Sequence, residues 1–330
     1  MKISIVLAAY NGEKYLKQQL ESFCYQTRFP DELVIVDDCS TDSTPTILKE
    51  FQNKAPFKTI ILRNTENIGS TKSFEKACKE ITGDWVLFSD QDDYWKKDKI
   101  EIFTQEISKS DDSIGLIYSD YEIVDENLKP LNTENTWLPD YKNPKIESDS
   151  AWIFFLTNQV ITGCTMGVKK EIIAAAIPFN CKLHDFWLAW IASLLGKIRF
   201  IDKKLICYRQ HCGQQVGLGF VDKKDKQEDC LSKYENKALT ELRKLDENCI
   251  FMEQTYKFIE RNEIQLSQDI VECINKRYEY LKTRFECLQK SRYSRFLPLC
   301  SLFFHGYYHC WHKHPFNAFK HDLIYPKTKL

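Results

Sequence analysis

The chain has 330 residues, a mass of 39.0 kDa and a formal net charge of −1. This near-neutrality argues against a basic nucleic-acid-binding protein, and we expect no nucleic-acid partner. Hydrophobic residues make up 43% of the chain, and only 11 Gly and 10 Pro are present, which excludes a disordered or fibrous protein.

Apolar segments alternate with helical patterns over the first 121 residues. Strands are predicted at 3–9, 33–36, 59–62, 85–88 and 114–119. Helices are predicted between them at 13–26, 43–51, 71–81 and 97–107. This alternation predicts βαβ units, and therefore an α/β fold with a mostly parallel central sheet flanked by helices on both faces.

The rest of the chain changes character twice. Helices are predicted at 150–158, 170–176 and 185–195, an extended segment at 160–168, and short strands at 198–201 and 205–208. Residues 224–286 have apolar positions three and four apart, which predicts two amphipathic helices. We therefore expect an α/β domain at 1–220, an amphipathic helical extension at 221–292, and a basic aromatic segment at 293–330.

Acidic residues follow two of the predicted strands, where an open parallel sheet binds its ligands. Asp37 and Asp38 end one strand, and Asp90, Asp92 and Asp93 follow another. The absence of a G-x-G-x-x-G after the first strand argues against a nicotinamide-dependent dehydrogenase, and a P-loop is also absent. Carboxylates together with the phosphate oxygens of a ligand can bind Mg²⁺ or Mn²⁺. The alternative is that these acidic residues form solvent-exposed turns without a ligand.

Four segments resemble family 2 glycosyltransferases, and the resemblance extends over about residues 1–220. They are 5–12 (IVLAAYNG), 36–42 (VDDCSTD), 67–69 (NIG) and 82–93 (TGDWVLFSDQDD). The D-Q-D-D-x-W form at 90–95 is similar to a rhamnosyltransferase-like branch that builds bacterial surface polysaccharides. The resemblance implies the glycosyltransferase A fold and a transfer that inverts the configuration of the sugar.

The resemblance also implies how a nucleotide-sugar donor is held. A carboxylate beside the base can accept a hydrogen bond from a ring N–H, which suits the uracil of UDP or the thymine of dTDP. The donor-binding residues implied are Ala9, Tyr10, Asn11, Asp37, Asp38, Asn67, Gly69, Lys72, Asp90, Gln91 and Arg209. Lys72 is equally well explained as a solvent-exposed lysine in the first turn of a helix. The metal, Mn²⁺ or Mg²⁺, is expected on Asp90, Asp92 and His211, where it would neutralise the departing diphosphate.

The general base that the resemblance implies is Asp185, which opens an apolar helix in the segment Leu183-His184-Asp185-Phe186-Trp187. A helix N-cap is the structural alternative for this aspartate. The residues expected around the sugar and the acceptor are Asp93, Trp95, Gly163, Cys164, Thr165, His184 and Trp187. Branch members often carry Asn where this chain has Gln214 and Gln215, which leaves those two without a role.

The sequence thus predicts a metal-dependent, inverting glycosyltransferase of the hexosyltransferase type. It would move a sugar, rhamnose being the one that the branch suggests, from a UDP- or dTDP-sugar to a growing, lipid-linked cell-surface polysaccharide. One alternative is a sugar-phosphate nucleotidyltransferase, which needs a glycine-rich basic loop where this chain has Tyr10-Asn11-Gly12-Glu13. The other is a non-catalytic glycan-assembly partner with the same fold.

Charge is divided unevenly along the chain. Residues 290–330 hold seven Lys and Arg against one acid, which leaves the remainder with a net charge of −7. Aromatic bulk with basic charge predicts that 293–330 contacts an anionic membrane surface, and the alternative is packing on its own protein. Thirteen cysteines without a C-x-x-C pair predict reduced thiols, so we expect a cytoplasmic protein at the inner face of the membrane. The C-terminal helices are candidates for a homodimer contact.

Overall fold

A computed structural model of the chain describes residues 1–131, 151–156, 158, 161–211, 214 and 230–324, with only the backbone given at 230–238 and 292. The chain forms two compact units. The first comprises Met1–Phe179 and Leu183–Val221, and the second comprises Asn180–Lys182 and Asp222–Leu330. The predicted functional division at 220 and 292 stays a prediction.

The first unit is built on a sheet that has eight strands in the described part of the chain. They are β1 (Ile3–Ala9), β2 (Glu32–Asp37), β3 (Lys58–Arg63), β4 (Trp85–Ser89), β5 (Tyr94–Trp95), β6 (Ile114–Val124), β7 (Met166–Lys169) and β8 (Lys197–Arg209). Their order is β3-β2-β1-β4-β7-β6-β8-β5. The pairs β3–β2, β2–β1, β1–β4 and β6–β8 are parallel, whereas β7 is antiparallel to both neighbours and β5 to β8. The predicted α/β class with a mostly parallel sheet is confirmed.

Seven helices of the described residues belong to this unit. They are α1 (Leu16–Cys24), α2 (Thr44–Gln52), α3 (Ser70–Cys78), α4 (Lys99–Lys109), α5 (Ala151–Phe155), α6 (Lys170–Ala176) and α7 (His184–Leu195). The central strands β1 and β2 are buried along almost their whole length, which accounts for their runs of apolar residues. The parallel register places Ala9 beside Asp37 and Leu7 beside Ser89, so the loops that follow these strands open at one edge.

Two local expectations differ from the structure. In the segment expected to be extended at 160–168, Gly163–Thr165 form a 3-10 turn that precedes β7, and residue 160 lies outside the described residues. Thr165 closes this turn because both its N–H (2.9 Å) and its hydroxyl (2.7 Å) donate to the Thr162 carbonyl. The two short strands expected at 198–201 and 205–208 are one strand, β8, whose pairing with β6 contains register shifts.

The second unit is helical. Its elements are α8 (Cys230–Arg261), α9 (Gln268–Leu288), α10 (Arg292–Phe304), α11 (Tyr307–Trp311) and α12 (Pro315–Ile324). A buried ion pair joins α9 to α12, since Arg284 donates to both carboxylate oxygens of Asp322 at 2.7 and 2.8 Å. Tyr308 donates to the same carboxylate at 2.5 Å. The expected C-terminal helical extension is therefore present, and among the described residues every helix is too short or too polar to cross a bilayer.

Candidate active site

A cavity of about 560 Å³ opens at the carboxyl ends of β1 and β4, where the sequence predicts the site. Eleven of the predicted site residues line it: Ala9, Tyr10, Asn11, Asp38, Asp90, Gln91, Asp92, Gly163, His184, Asp185 and His211. The other predicted residues lie outside its lining: Asp37, Asn67, Gly69, Lys72, Asp93, Trp95, Cys164, Thr165, Trp187 and Arg209. The individual roles of all of them stay predictions.

Gln91 ties the acidic loop after β4 to the loop after β1. The Tyr10 N–H donates to the Gln91 Oε1 at 2.9 Å, and the Gln91 Nε2 donates to the Tyr10 carbonyl at 3.0 Å. Gly12 leaves the space for this carboxamide, because a Cβ there would lie 2.3 Å from Oε1. Two hydrogen bonds thus join the loop after β1, which is expected to bind the nucleotide, to the loop after β4, which is expected to bind the metal.

Asp38 lines the cavity and accepts hydrogen bonds from two backbone N–H groups and one side chain. Its Oδ1 accepts from the Ile68 N–H (2.9 Å) and from the Asn64 side chain (2.7 Å), while its Oδ2 accepts from the Gly69 N–H (2.8 Å). Gly69 has a φ of +84°, a left-handed conformation that favours glycine, and α3 begins at the next residue. Asp38 therefore fixes the 67–69 turn as well as facing the cavity.

Three more of the residues predicted to bind the nucleotide-sugar already contact other groups of the protein. Asp37 is buried, accepts from the Ser40 N–H at 3.0 Å and pairs with Arg63 at 3.3 Å. Asn11 accepts from the Thr41 N–H at 2.9 Å. On the adjoining helix, the Lys72 ammonium lies 2.9 Å from the Glu75 carboxylate.

Asp92 and His211 both line the cavity and contact each other, with 2.9 Å between Oδ2 and Nε2. The His211 N–H also donates to the Gln214 Oε1 at 3.2 Å, whereas Gln215 lies outside the described residues. A carboxylate and an imidazole that already face each other fit a divalent cation by their chemistry. The third expected ligand, Asp90, also lines the cavity but groups with Asp93 and Cys164, their ligand atoms lying within 4.8 Å of one another.

A buried lysine that the sequence reasoning missed supports this acidic group. The Lys99 Nζ donates to the Cys164 carbonyl at 2.6 Å and lies 3.5 Å from the centre of the Trp95 ring. Burial lowers the pKa of Lys99 to about 7 and raises that of Asp93 to about 7. Its burial could have been inferred from its position in the sequence, because Lys99 opens α4 on the same face as the apolar residue Phe103.

Arg209 lies behind the cavity. Its Nε donates to the Asp92 carbonyl (2.7 Å), a terminal nitrogen donates to the Gln18 side chain (2.8 Å), and its N–H donates to the Asp93 carboxylate (3.3 Å). The buried guanidinium thus positions the acidic loop, and its expected contact with phosphate stays a prediction. Trp187 is also buried in the protein, and its indole donates to the Ala176 carbonyl at 2.9 Å.

Asp185 lies in the first turn of α7 and faces the cavity. Its Oδ2 accepts from the Gly163 N–H at 3.1 Å, and its Oδ1 accepts from the Phe186 N–H at 2.7 Å. The neighbouring His184 ring packs 4.1 Å from the Phe74 ring, and burial lowers the pKa of this histidine. A carboxylate held by two amides at a cavity wall is suited to receive a proton from a bound hydroxyl.

Residues 4–174, just over half of the chain, match the sequence profile of Glycosyl transferase family 2. The chain belongs to this family. The dTDP-rhamnosyl transferase RfbG of Shigella flexneri is 32% identical to this family 2 glycosyltransferase over 229 residues, covering 64% of this chain and 73% of that protein. Across the curated relatives aligned over about 220 residues, the match spans 59% to 73% of the relative's own length.

Two solved structures share the fold of this family 2 glycosyltransferase. TarS 1–349 of Staphylococcus aureus in complex with UDP-GlcNAc aligns with a TM-score of 0.54 at 20% identity, covering 87% of this chain and 86% of that chain. The mannosyltransferase PcManGT of Pyrobaculum calidifontis, in complex with GDP-Man and Mn²⁺, aligns with a TM-score of 0.52 at 14% identity, covering 98% and 85%. The expected glycosyltransferase A type of fold and the expected enzyme class are confirmed, and neither alternative function gains support.

Proposed function

We propose that this family 2 glycosyltransferase is metal-dependent and inverting, and that it transfers a sugar from a UDP- or dTDP-sugar to a hydroxyl of a growing glycan. One observation carries the proposal. Asp185, held by two backbone amides, lines the same cavity as the Asp92–His211 pair. A proton acceptor and a cation-binding pair in one cavity are the two functions that such a transfer needs.

The proposed reaction balances in one displacement. An Asp185 carboxylate oxygen takes the proton of the acceptor hydroxyl as the hydroxyl oxygen forms a bond to the anomeric carbon. The bond from that carbon to the donor diphosphate breaks on the opposite face, and the nucleoside diphosphate leaves with the electron pair. Attack opposite the leaving group inverts the anomeric configuration.

Asp92, His211 and Asp90 are the residues proposed to hold the cation, which when bound would neutralise charge on the diphosphate. Mn²⁺ and Mg²⁺ are both candidates, and the Mn²⁺ complex of PcManGT is a precedent on the same fold. Asp38 and the Tyr10–Asn11 loop are proposed to receive the base and ribose. The name of the Shigella relative favours dTDP-rhamnose as the first donor to test.

The proposed acceptor is a lipid-linked cell-surface polysaccharide that is still being extended. An acceptor of this kind is assembled at a membrane, which agrees with the basic and aromatic composition of 293–330. We therefore propose that the enzyme works in the cytoplasm at the inner face of the membrane.

The proposal is tested with Asp185→Asn, which keeps the size of the side chain and an acceptor for the Gly163 N–H but is far less basic. With Mn²⁺, dTDP-rhamnose or UDP-sugars and an acceptor glycan, we expect kcat to fall by about 10²–10⁴-fold while dTDP or UDP binding by calorimetry is kept. The matched control is Asp112→Asn, an exposed aspartate away from the cavity. Turnover of Asp185→Asn within about tenfold of the wild type would remove Asp185 as the base.

A further inference from the structure

Helix α10 presents apolar side chains to solvent. Tyr293 is 94% exposed, Leu297 is 76% exposed and Phe304 is 81% exposed, and Phe296 is exposed beside them. Of the fifteen large hydrophobic residues exposed in the described part of the chain, six lie between 293 and 324. Single exposed apolar residues are common on protein surfaces, but a contiguous group of them indicates an interaction surface.

The exposed residues of α10 form one stripe. At 3.6 residues per turn, Tyr293, Phe296, Leu297 and Phe304 fall within an arc of about 100°. The opposite side of the helix carries Leu299 and Leu302, which are buried. The helix is therefore apolar on both sides, and its own unit covers only one of them.

Helix α12 extends this surface and adds charge. Phe316, Lys320 and Ile324 are exposed at a spacing of four residues, which places them on one face of the helix. The Phe316 ring lies 6.3 Å from the ring of Phe303, the residue next to Phe304, so the two exposed faces adjoin. We call Tyr293, Phe296, Leu297, Phe304, Phe316, Lys320 and Ile324 the α10–α12 face.

The exposed Lys, Asp and Glu side chains of residues 293–324 have one sign. Lys313 and Lys320 are exposed, whereas Asp322, which is the only acid in the sequence from 290 to 324, is buried against Arg284. A symmetric contact between two copies of this face would bring lysine against lysine with no acid between them. An anionic lipid surface instead offers hydrocarbon for the aromatic residues and phosphate for the lysines.

We propose that the α10–α12 face is the surface by which this enzyme docks on an anionic lipid bilayer. The apolar stripe of α10 inserts at the boundary between headgroups and acyl chains, with α10 parallel to the membrane plane. Lys313 and Lys320 contact the headgroup phosphates. This docking is independent of the proposed catalytic chemistry, and it would hold the enzyme at the surface where a lipid-linked acceptor is found.

The test is flotation of the full chain with phosphatidylcholine vesicles that contain roughly 30% phosphatidylglycerol. We expect wild-type protein to float with these vesicles, and Leu297→Ser/Phe304→Ser to bind at least about tenfold more weakly. Lys313→Glu/Lys320→Glu should lose the preference for anionic over pure phosphatidylcholine vesicles. Ile250→Ser/Val271→Ser, which changes exposed apolar residues on α8 and α9, is the matched control and should float as the wild type does.

Equal flotation of the wild type and Leu297→Ser/Phe304→Ser would overturn the proposal. So would a wild-type dimer, seen by light scattering, that Leu297→Ser/Phe304→Ser converts to a monomer without changing flotation, since the face would then join two copies. Transfer to a detergent-soluble acceptor should stay unchanged in every variant. Failure of docking is thereby distinguished from failure of the proposed transfer activity.

Discussion

The contact between Gly163 and Asp185 depends on a missing side chain. A Cβ on Gly163 would lie 2.9 Å from the His184 Nε2 and 3.5 Å from the Asp185 Cβ. The His184 ring has no room to retreat, because it packs against Phe74 and stacks on Phe88 at 5.4 Å. Steric pressure at residue 163 therefore acts directly on the N–H group that holds the carboxylate.

We predict that Gly163→Ala lowers kcat by about 10- to 100-fold, because an ångström of misplacement of a catalytic group costs rates of this order. Trimming the ring in Gly163→Ala/His184→Ala should return most of the activity relative to His184→Ala alone. Steady-state kinetics on the four proteins of this cycle give the coupling between the two sites. Purely additive losses would contradict a steric origin.

Among individual residues, those at the ends of strands and the starts of helices are the ones that the sequence could identify. Asp92 follows β4 and Asp185 lies in the first turn of α7, so the sequence could place both at the cavity, while their roles stay predictions. Lys99 was missed because a buried lysine looks like any surface lysine until the Trp95 ring and the Cys164 carbonyl are placed around it. The protein contacts of the Arg209 guanidinium were likewise hidden, since they come from residues as distant in sequence as Gln18 and Asp92.

Among the elements, β2 begins with a carboxylate that ties neighbouring segments together. The Glu32 side chain accepts from the Ser4 hydroxyl of β1 at 2.8 Å, from the Lys58 ammonium of β3 at 2.9 Å, and from the Thr82 N–H before β4. Burial opposes ionisation of Glu32, but these hydrogen bonds outweigh it and lower its pKa to about 2. The starts of four strands are thus joined through one ionised group.

We predict that Glu32→Gln lowers the free energy of unfolding by about 2 kcal/mol at pH 7, an amount reduced by the exposure of Lys58. Because the folded pKa lies below the ordinary value of 4.5, this stabilisation is complete above about pH 5 and disappears as the pH falls from 4.5 toward 2. Urea unfolding at several pH values measures it, with exposed Glu50→Gln as the control. A difference from wild type that does not depend on pH would contradict this account.

Elements with a strong apolar pattern were predictable nearly to the residue, as β1 and α6 illustrate. The continuity of β8 was not, because the polar residues Asp202, Lys203 and Lys204 break its apolar pattern. The strand continues past them through an irregularity at which the pairing with β6 shifts from Ile201 to Lys204. Strand β5 was also missed. It has two residues and exists through its pairing with β8, so no local pattern marks it.

The interiors of the two units differ in chemistry. The sheet unit is centred on apolar strands, whereas the helical unit is joined at its centre by the Arg284–Asp322 pair, with Tyr308 on the same carboxylate. The helical character of the second unit was predictable from its periodicity. The buried ion pair was not, because its partners lie 38 residues apart and each resembles a surface charge in sequence.

We predict that Asp322→Asn destabilises the helical unit by about 3 kcal/mol, because the buried Arg284 guanidinium keeps only the partly exposed Glu241 carboxylate, 3.8 Å away, as a counter-charge. Hydrogen exchange should show lost protection in α9 and α12, with the strands of the sheet retaining theirs. Glu260→Gln, an exposed change on α8, is the control and should leave exchange as in wild type. Equal loss of protection in both units would contradict a local role of the Arg284–Asp322 pair.

Strand β7 and the 3-10 turn before it connect the sheet to the Asp185 carboxylate through a fixed number of residues. Gly163 at one end donates to Asp185, and Gly167, four positions later, packs where a Cβ would lie 2.7 Å from the Leu87 side chain. Inserting or deleting one residue between them would either move the amide away from Asp185 or bring a bulky neighbour against Leu87. Homologues that diverge in this stretch should therefore keep three residues between these two positions.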